Sequence, residues 1–139
     1  MPPPFYPTPK PALQAAIAIL KAAFIVPSPF YATPVAVGAR MPNVRPATFV
    51  RVDRLGGRMH NVVTDAARIL VECWAPDSDT AEQMTCTASG ALLNSLGQYW
   101  AGIYVREWAD QQGPGGFDDP AVTDQRRWQF HGDLRVSTN

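Results

Sequence analysis

The stretch FVRVDRLGGRMHNVVTDAARILVECWA, residues 49–75, constrains the fold more than any other part of the chain. Both of its ends alternate with period two, the spacing that sends successive side chains to opposite faces of a sheet. Val50 and Val52 fall on one face, with Phe49, Arg51 and Asp53 on the other. In the second half Ala67, Ile69, Val71 and Cys73 share a face, and Arg68, Leu70, Glu72 and Trp74 take the opposite one. Gly56-Gly57 permits positive φ, so the chain is expected to reverse there, with RMHNVVTD as a longer loop and the second strand starting near Ala66. Strands patterned this way predict an antiparallel pair with one buried and one exposed face. In that pairing Arg51 can reach Glu72 across the strands.

Periodicity places the other elements. Pro11 suits a first helical turn, and Leu13, Ile17, Leu20 and Phe24 recur at helical spacing with Ala16 and Ala23 on the same face. Pro27 and Pro29 end this helix. VAVGARMP reads as a short edge strand stopped by Pro42. A second helix is expected in PDSDTAEQMTCTASGALLNSLGQ, capped by Ser78 or Asp79, with Ala81, Met84, Ala88, Ala91, Leu92 and Leu96 as its stripe and Gly97 as its stop. Gly90 inside it weakens the helix, which predicts close packing at that point. In GIYVREW, Ile103 and Val105 face one side and Tyr104, Arg106 and Trp108 the other. Residues 109–124 are polar and rich in glycine and proline and read as a long loop. RWQFHGDLRV is the cleanest strand, with Trp128, Phe130, Leu134 and Val136 alternating against Arg127, Gln129, His131, Asp133 and Arg135.

This order predicts an α+β fold: an antiparallel sheet of four to five strands with two helices packed on one face. Residues 1–10 form a proline-rich arm and residues 11–139 a single domain; a chain of 139 residues can bury one core. The prolines of MPPPFYPTPKP fix φ and remove donors, so the arm does not join a sheet. It is either a tail or a strap lying on a neighbouring subunit through Phe5 and Tyr6.

Charge excludes one class of partner. Twelve basic residues balance twelve acidic ones, whereas a sequence-independent nucleic-acid binder carries a basic excess. Arg40, Arg45, Arg51, Arg54, Arg58 and Arg68 are interspersed with Asp53, Asp65 and Glu72, a mixture suited to a complementary copy of the same surface. No apolar run reaches the ~20 residues of a membrane span, and the start resembles no signal peptide. A soluble, intracellular protein with Cys73 and Cys86 reduced is expected.

Catalytic and metal-binding patterns are missing. His60 and His131 lack companions at ligand spacing. GPGG at 113–116 has no Lys-Ser/Thr after it, TASGA lacks the flanking pattern of a nucleophile elbow, and Asp118-Asp119 are adjacent rather than set apart in a cleft. No cofactor, metal or enzymatic activity is expected. The ribbon instead has the composition of a recognition surface, because aromatics and arginine are enriched at interfaces.

One resemblance covers most of the chain from Arg45 onward. Arg45, Pro46, Phe49, Val50, Arg51, Gly56, Gly57, Asn61, Thr64, Asp65, Cys73 and Trp74 resemble the tail terminator proteins of long-tailed, siphovirus-type phages of actinobacteria. The match continues at Gly113, Pro114, Asp119, Pro120, Arg127 and Phe130. The resemblance implies a virion protein, made in the host cytoplasm, that forms a homohexameric ring on the head-proximal end of the tail tube. Such a ring stops tube growth and presents a docking surface to the head connector, with DNA only passing through its lumen. On this reading Phe49, Arg51, Asp53, Arg54, Arg68, Glu72, Trp74, Phe5 and Tyr6 are interface candidates. Gly113, Pro114, Asp118 and Asp119 are loop or lumen candidates. The rival readings are a head–tail connector or tail tube subunit, a small ligand-binding α+β domain, and a DNA-binding accessory protein.

Overall fold

The computed structural model describes residues 8–138. Its elements are α1 (Ala12–Ala23), β1 (Ala36–Gly38), β2 (Phe49–Asn61), β3 (Thr64–Ala75), α2 (Ser78–Leu93), β4 (Tyr99–Trp100), β5 (Ile103–Gly116) and β6 (Arg126–Ser137). Residues 1–7, with Phe5, Tyr6 and most of the expected arm, lie outside the described residues.

The α+β class holds, with both helices against one face of the sheet. The sheet has six strands in the order β1-β2-β3-β6-β5-β4. It is mixed rather than purely antiparallel, because β1 runs parallel to β2 while the other pairs are antiparallel. The residues between β1 and β2 form the return connection that this parallel pair requires. That segment is the part of the sheet least visible to periodicity.

β3 and β6 lie at the centre, and their register explains the core. Val71 pairs with Phe130, Cys73 with Trp128 and Ala67 with Leu134, so the apolar sets of two alternating strands fall together. Val50 and Val52 join them from β2. Ala15, Ala16, Ile19, Leu20 and Phe24 of the first helical segment, and Ala81, Met84, Ala88 and Leu92 of α2, close the cluster from above. At roughly 25 cal/mol per Å² of apolar area, each of the larger side chains among them (Val, Leu, Ile, Met and Phe) contributes about 1.5–3 kcal/mol on burial, and each alanine less.

Both helices depart in detail from their expected faces. In α1 the alanines Ala12, Ala15 and Ala16 are fully buried, while Leu13 and Ile17 pack only partly against the core. Small residues let α1 lie close to the sheet, and that closeness rotates the buried stripe. The N-cap of α2 is Asp77, whose side chain accepts a hydrogen bond from Thr80 N at 2.8 Å. This holds the Asp77 carboxyl below the usual carboxylate range, chiefly through that backbone hydrogen bond and then through the Thr80 hydroxyl. Leu96 is exposed rather than part of the stripe. Gly90 is not closely packed: a β-carbon there would meet no atom within 4 Å.

The glycine pair in the ribbon does not reverse the chain. β2 continues to Asn61, and the turn is Val62-Val63, with Asn61 Oδ1 accepting from Val63 N at 2.9 Å. Gly56 and Gly57 form a bulge instead, where the pairing slips between Arg54↔Ile69 and Gly57↔Ala67. Gly57 has φ +106°, and a β-carbon on it would lie 2.2 Å from Ala66 O, so only glycine fits.

The first half of the expected loop at 109–124 is strand, and the second half is a loop as expected. β5 runs through Gly116 against β6, with register shifts at three places that absorb its glycines and Pro114. The first shift, between Val105 and Glu107, inserts one residue and inverts the alternation. Trp108 therefore pairs with Leu134 and joins the core beside Ile103 and Val105, contrary to the unbroken alternation expected of GIYVREW.

Candidate interaction surface

The sheet face opposite the helices carries Arg51 and Asp53 of β2, Arg68 and Glu72 of β3, and Arg127, Asp133 and Arg135 of β6. Glu72, on β3, sits between two arginines. Arg51 Nη1 donates to its Oε1 at 2.6 Å, and Arg127 Nη1 to its Oε2 at 3.4 Å. The cross-strand pair Arg51–Glu72 is thus present as the register Arg51↔Glu72 dictates. Arg51 also reaches Asp53 at 3.2 Å. Burial alone would lower the Arg51 pKa, but the hydrogen bond and charge of Glu72, with Asp53 behind them, outweigh it and raise it. Further along this face Arg68 pairs with Asp133 at 3.3 Å; Arg54 and Asp65, which share the strand parity of the core residues Val52 and Ala67, form a separate pair, with Arg54 donating to the buried carboxylate at 3.1 Å.

The two aromatics expected to face outward are covered. Phe49 and Trp74 do lie on the face away from the helices, paired directly with each other, but their exposures are 3% and 5%. The guanidinium of Arg45 stands 4.7 Å from the Trp74 ring centroid and that of Arg127 5.2 Å away. Gln125 fixes the chain around Arg45: it accepts from Arg45 Nε at 3.0 Å and donates to Pro46 O at 2.7 Å. The β1–β2 connection therefore straps the ring down, and neither aromatic is free to meet a partner. Periodicity placed them on the right face but carried no information about the strap.

Of the loop candidates, Gly113 and Pro114 belong to β5. Asp118 and Asp119 do lie in the following loop, where Asp118 Oδ1 accepts from Arg127 N at 3.4 Å and Asp119 Oδ1 from Ala121 N at 2.9 Å. These carboxylates organise the β5–β6 connection. Cys73 is buried and burial pushes its thiol pKa up, while Cys86 is exposed. Among the described residues no group of three or more His, Cys, Asp or Glu side chains is placed to hold a metal ion. No helix among them is long and apolar enough to cross a membrane.

Different residues supply the exposed apolar surface. Residues 55–63, the outer half of β2 and its turn, are exposed throughout, and they carry Leu55, Met59, Val62 and Val63. Val62 is 68% exposed. Only residues 49–51 of β2 pair with β1, so this run has no strand on its outer side among the described residues. At the other end of the strand order Tyr99 on β4 and Phe117 beyond β5 are exposed. The sequence did hold a signal for the first patch: two valines in a turn, where no core lies within reach.

A scan against models of protein families finds none that matches this chain, and a search of curated proteins finds no match either.

Proposed function

We propose that the chain is a structural ring subunit of a phage tail terminator type. Its ring would cap the head-proximal end of a tail tube, end tube growth and offer a docking surface to the head connector. The observation that carries the proposal is the exposed run 55–63, with its four large apolar side chains on a stretch of β2 and its turn that has no outer strand among the described residues. A closed ring requires a heterologous contact, one patch meeting a different patch on the next copy. The Leu55/Met59/Val62/Val63 patch and the exposed Tyr99 on β4 are separate surfaces at opposite ends of the strand order, as such a contact needs. Clusters of exposed apolar side chains mark interaction sites more often than solitary ones do. The resemblance at Arg45, Pro46, Phe49–Arg51 and Cys73–Trp74 points the same way, although Phe49 and Trp74 themselves act by holding the subunit together.

The partners in this reading are further copies of the chain, a tail tube protein and a head connector, with DNA passing through the bore. The test is the mass of the purified protein in solution, by native mass spectrometry and sedimentation. A closed assembly of about six copies is expected. Growth into open tubes would transfer the chain to the tube-subunit class, and a monomer at all concentrations would overturn the ring.

A further inference from the structure

Two valines close the β2–β3 hairpin, in a kind of turn that valine does not favour. Asn61 pairs with Thr64, which leaves Val62 and Val63 as the two central residues. Two-residue turns that follow the twist of their strands take positive φ at one or both central positions. Gly, Asn and Asp suit those positions, whereas a side chain branched at Cβ is strained there. Among the described residues the non-glycine residues with positive φ are Ala101 and Asp110, so Val62 and Val63 both keep negative φ. Such a turn runs against the strand twist, and no outer strand among the described residues steadies this part of β2. Its shape needs support from elsewhere.

Thr138, directly after β6, supplies that support. Its backbone N–H donates to Val63 O at 3.1 Å, and its Oγ1 donates to Val62 O at 3.0 Å. Asn61 Oδ1 accepts from Val63 N at 2.9 Å. Both carbonyls of the turn are therefore held by one residue that lies 76 positions away from Val62. Thr138 is 2% exposed, whereas Val62 is 68% and Val63 38% exposed. The turn is fastened to the body of the subunit through its backbone, and its apolar side chains are left outside.

We propose that Thr138 is a positioning residue for assembly, holding the Val62–Val63 turn in the shape that meets the next copy. The inference rests on the ring reading above and names how one of its surfaces is prepared. A loop fixed in its bound conformation before contact loses less entropy on association. The same role accounts for valine at these two positions. An Asn-Gly pair closes a hairpin unaided but presents no apolar side chain. Local turn preference has given way to what the surface needs, and a distant hydrogen-bonding residue makes good the difference.

The test compares Thr138→Val, which keeps the size of the side chain and removes its hydroxyl, with Thr138→Ser, which keeps the hydroxyl. Hydrogen exchange is read on the dilute subunit, and subunit association by sedimentation over a range of concentrations. In Thr138→Val the amides of residues 61–64 are expected to exchange about fivefold faster, the factor that one ordinary hydrogen bond supports, and association to weaken by about the same factor or more. Thr138→Ser is expected to follow the parent in both. Val62→Asn with Val63→Gly is expected to exchange as slowly as the parent yet to lose association, because its turn no longer carries apolar side chains. Unchanged exchange in Thr138→Val overturns the proposal, since the hydroxyl then does not hold the turn. Faster exchange with parental association makes Thr138 a tether of the fold alone and overturns it equally. A parent that stays monomeric at every concentration removes the ring and this inference with it, whereas parental association of Thr138→Val beside an assembled parent removes this inference only.

Discussion

The ring of Trp108 occupies the space a side chain on Gly132 would need: a β-carbon there would stand 2.6 Å from Cζ2 of the indole. The same ring meets Phe130 edge-on with centroids 6.1 Å apart, and its Nε1 donates to Gln111 Oε1 at 2.8 Å. A buried indole held on two sides cannot move aside cheaply. Gly132→Ala is therefore expected to destabilise the fold by about 1–3 kcal/mol, the usual cost of overpacking. Adding Trp108→Leu should recover part of that loss in a double-mutant cycle, measured by denaturant unfolding. Strict additivity would show that the indole is not the obstacle.

Trp74 belongs to the subunit's own structure. Its ring is buried between Arg45 and Arg127 and fastens the β1–β2 connection. Trp74→Ala should lower unfolding stability by about 3 kcal/mol, as large-to-small changes at buried aromatics do. Arg45→Ala should cost under about 1 kcal/mol, since its contact keeps some solvent. Equal effects of the two substitutions on the unfolding midpoint would count against this assignment.

Glu72 is a shared counter-charge for Arg51 and Arg127, and its side chain is only 6% exposed. Removing it by Glu72→Ala leaves the part-buried guanidinium of Arg127 without its acid and that of Arg51 with Asp53 alone. The expected loss is about 2 kcal/mol, less than for a fully buried pair because both arginines keep contact with water. Arg51→Glu should be worse than Arg51→Met, since it sets a third carboxylate against Glu72 and Asp53. Urea unfolding midpoints at unchanged slope decide the order.

Asp77 gives α2 a pH-dependent cap. Its folded-state pKa lies below the unfolded value, so its ionised form stabilises the fold above the unfolded pKa of about 3.9. That contribution is lost as pH falls through the depressed folded value. Asp77→Ala should lower the melting temperature at neutral pH, and the gap to the parent should close in strong acid. A gap of constant size down to the lowest accessible pH would sink the idea.

The outer half of β2 should matter to assembly and not to folding. Val62→Asp changes an exposed turn residue whose side chain supports no core contact, so stability should move by no more than about 0.5 kcal/mol. Placing a charge in the apolar patch should nevertheless dissociate the expected ring, read as a fall in mass by sedimentation. An unaltered mass with an unaltered melting temperature would remove residues 55–63 from the interface.

What the sequence determined by itself was what repeats locally. β6 alternates from Arg127 to Val136 without a break, so its faces were legible, and the Arg51–Glu72 pair followed from two strands in register. The two helices were legible from period and from the prolines that bound the first. Tertiary structure decided the rest, because those outcomes depend on residues far apart in the chain. One inserted residue between Val105 and Glu107 turns Trp108 into the core, and Gly132, on the neighbouring strand, makes room for it. A glycine pair that permits a turn becomes a bulge because Ala66 O closes over Gly57, while Asn61 sets the turn further on. Phe49 and Trp74 point away from the helices as their positions require, yet both are buried, and Gln125 and Arg45 draw a strap across Trp74. Periodicity fixes which way a side chain points; only the packing of distant segments fixes whether anything covers it.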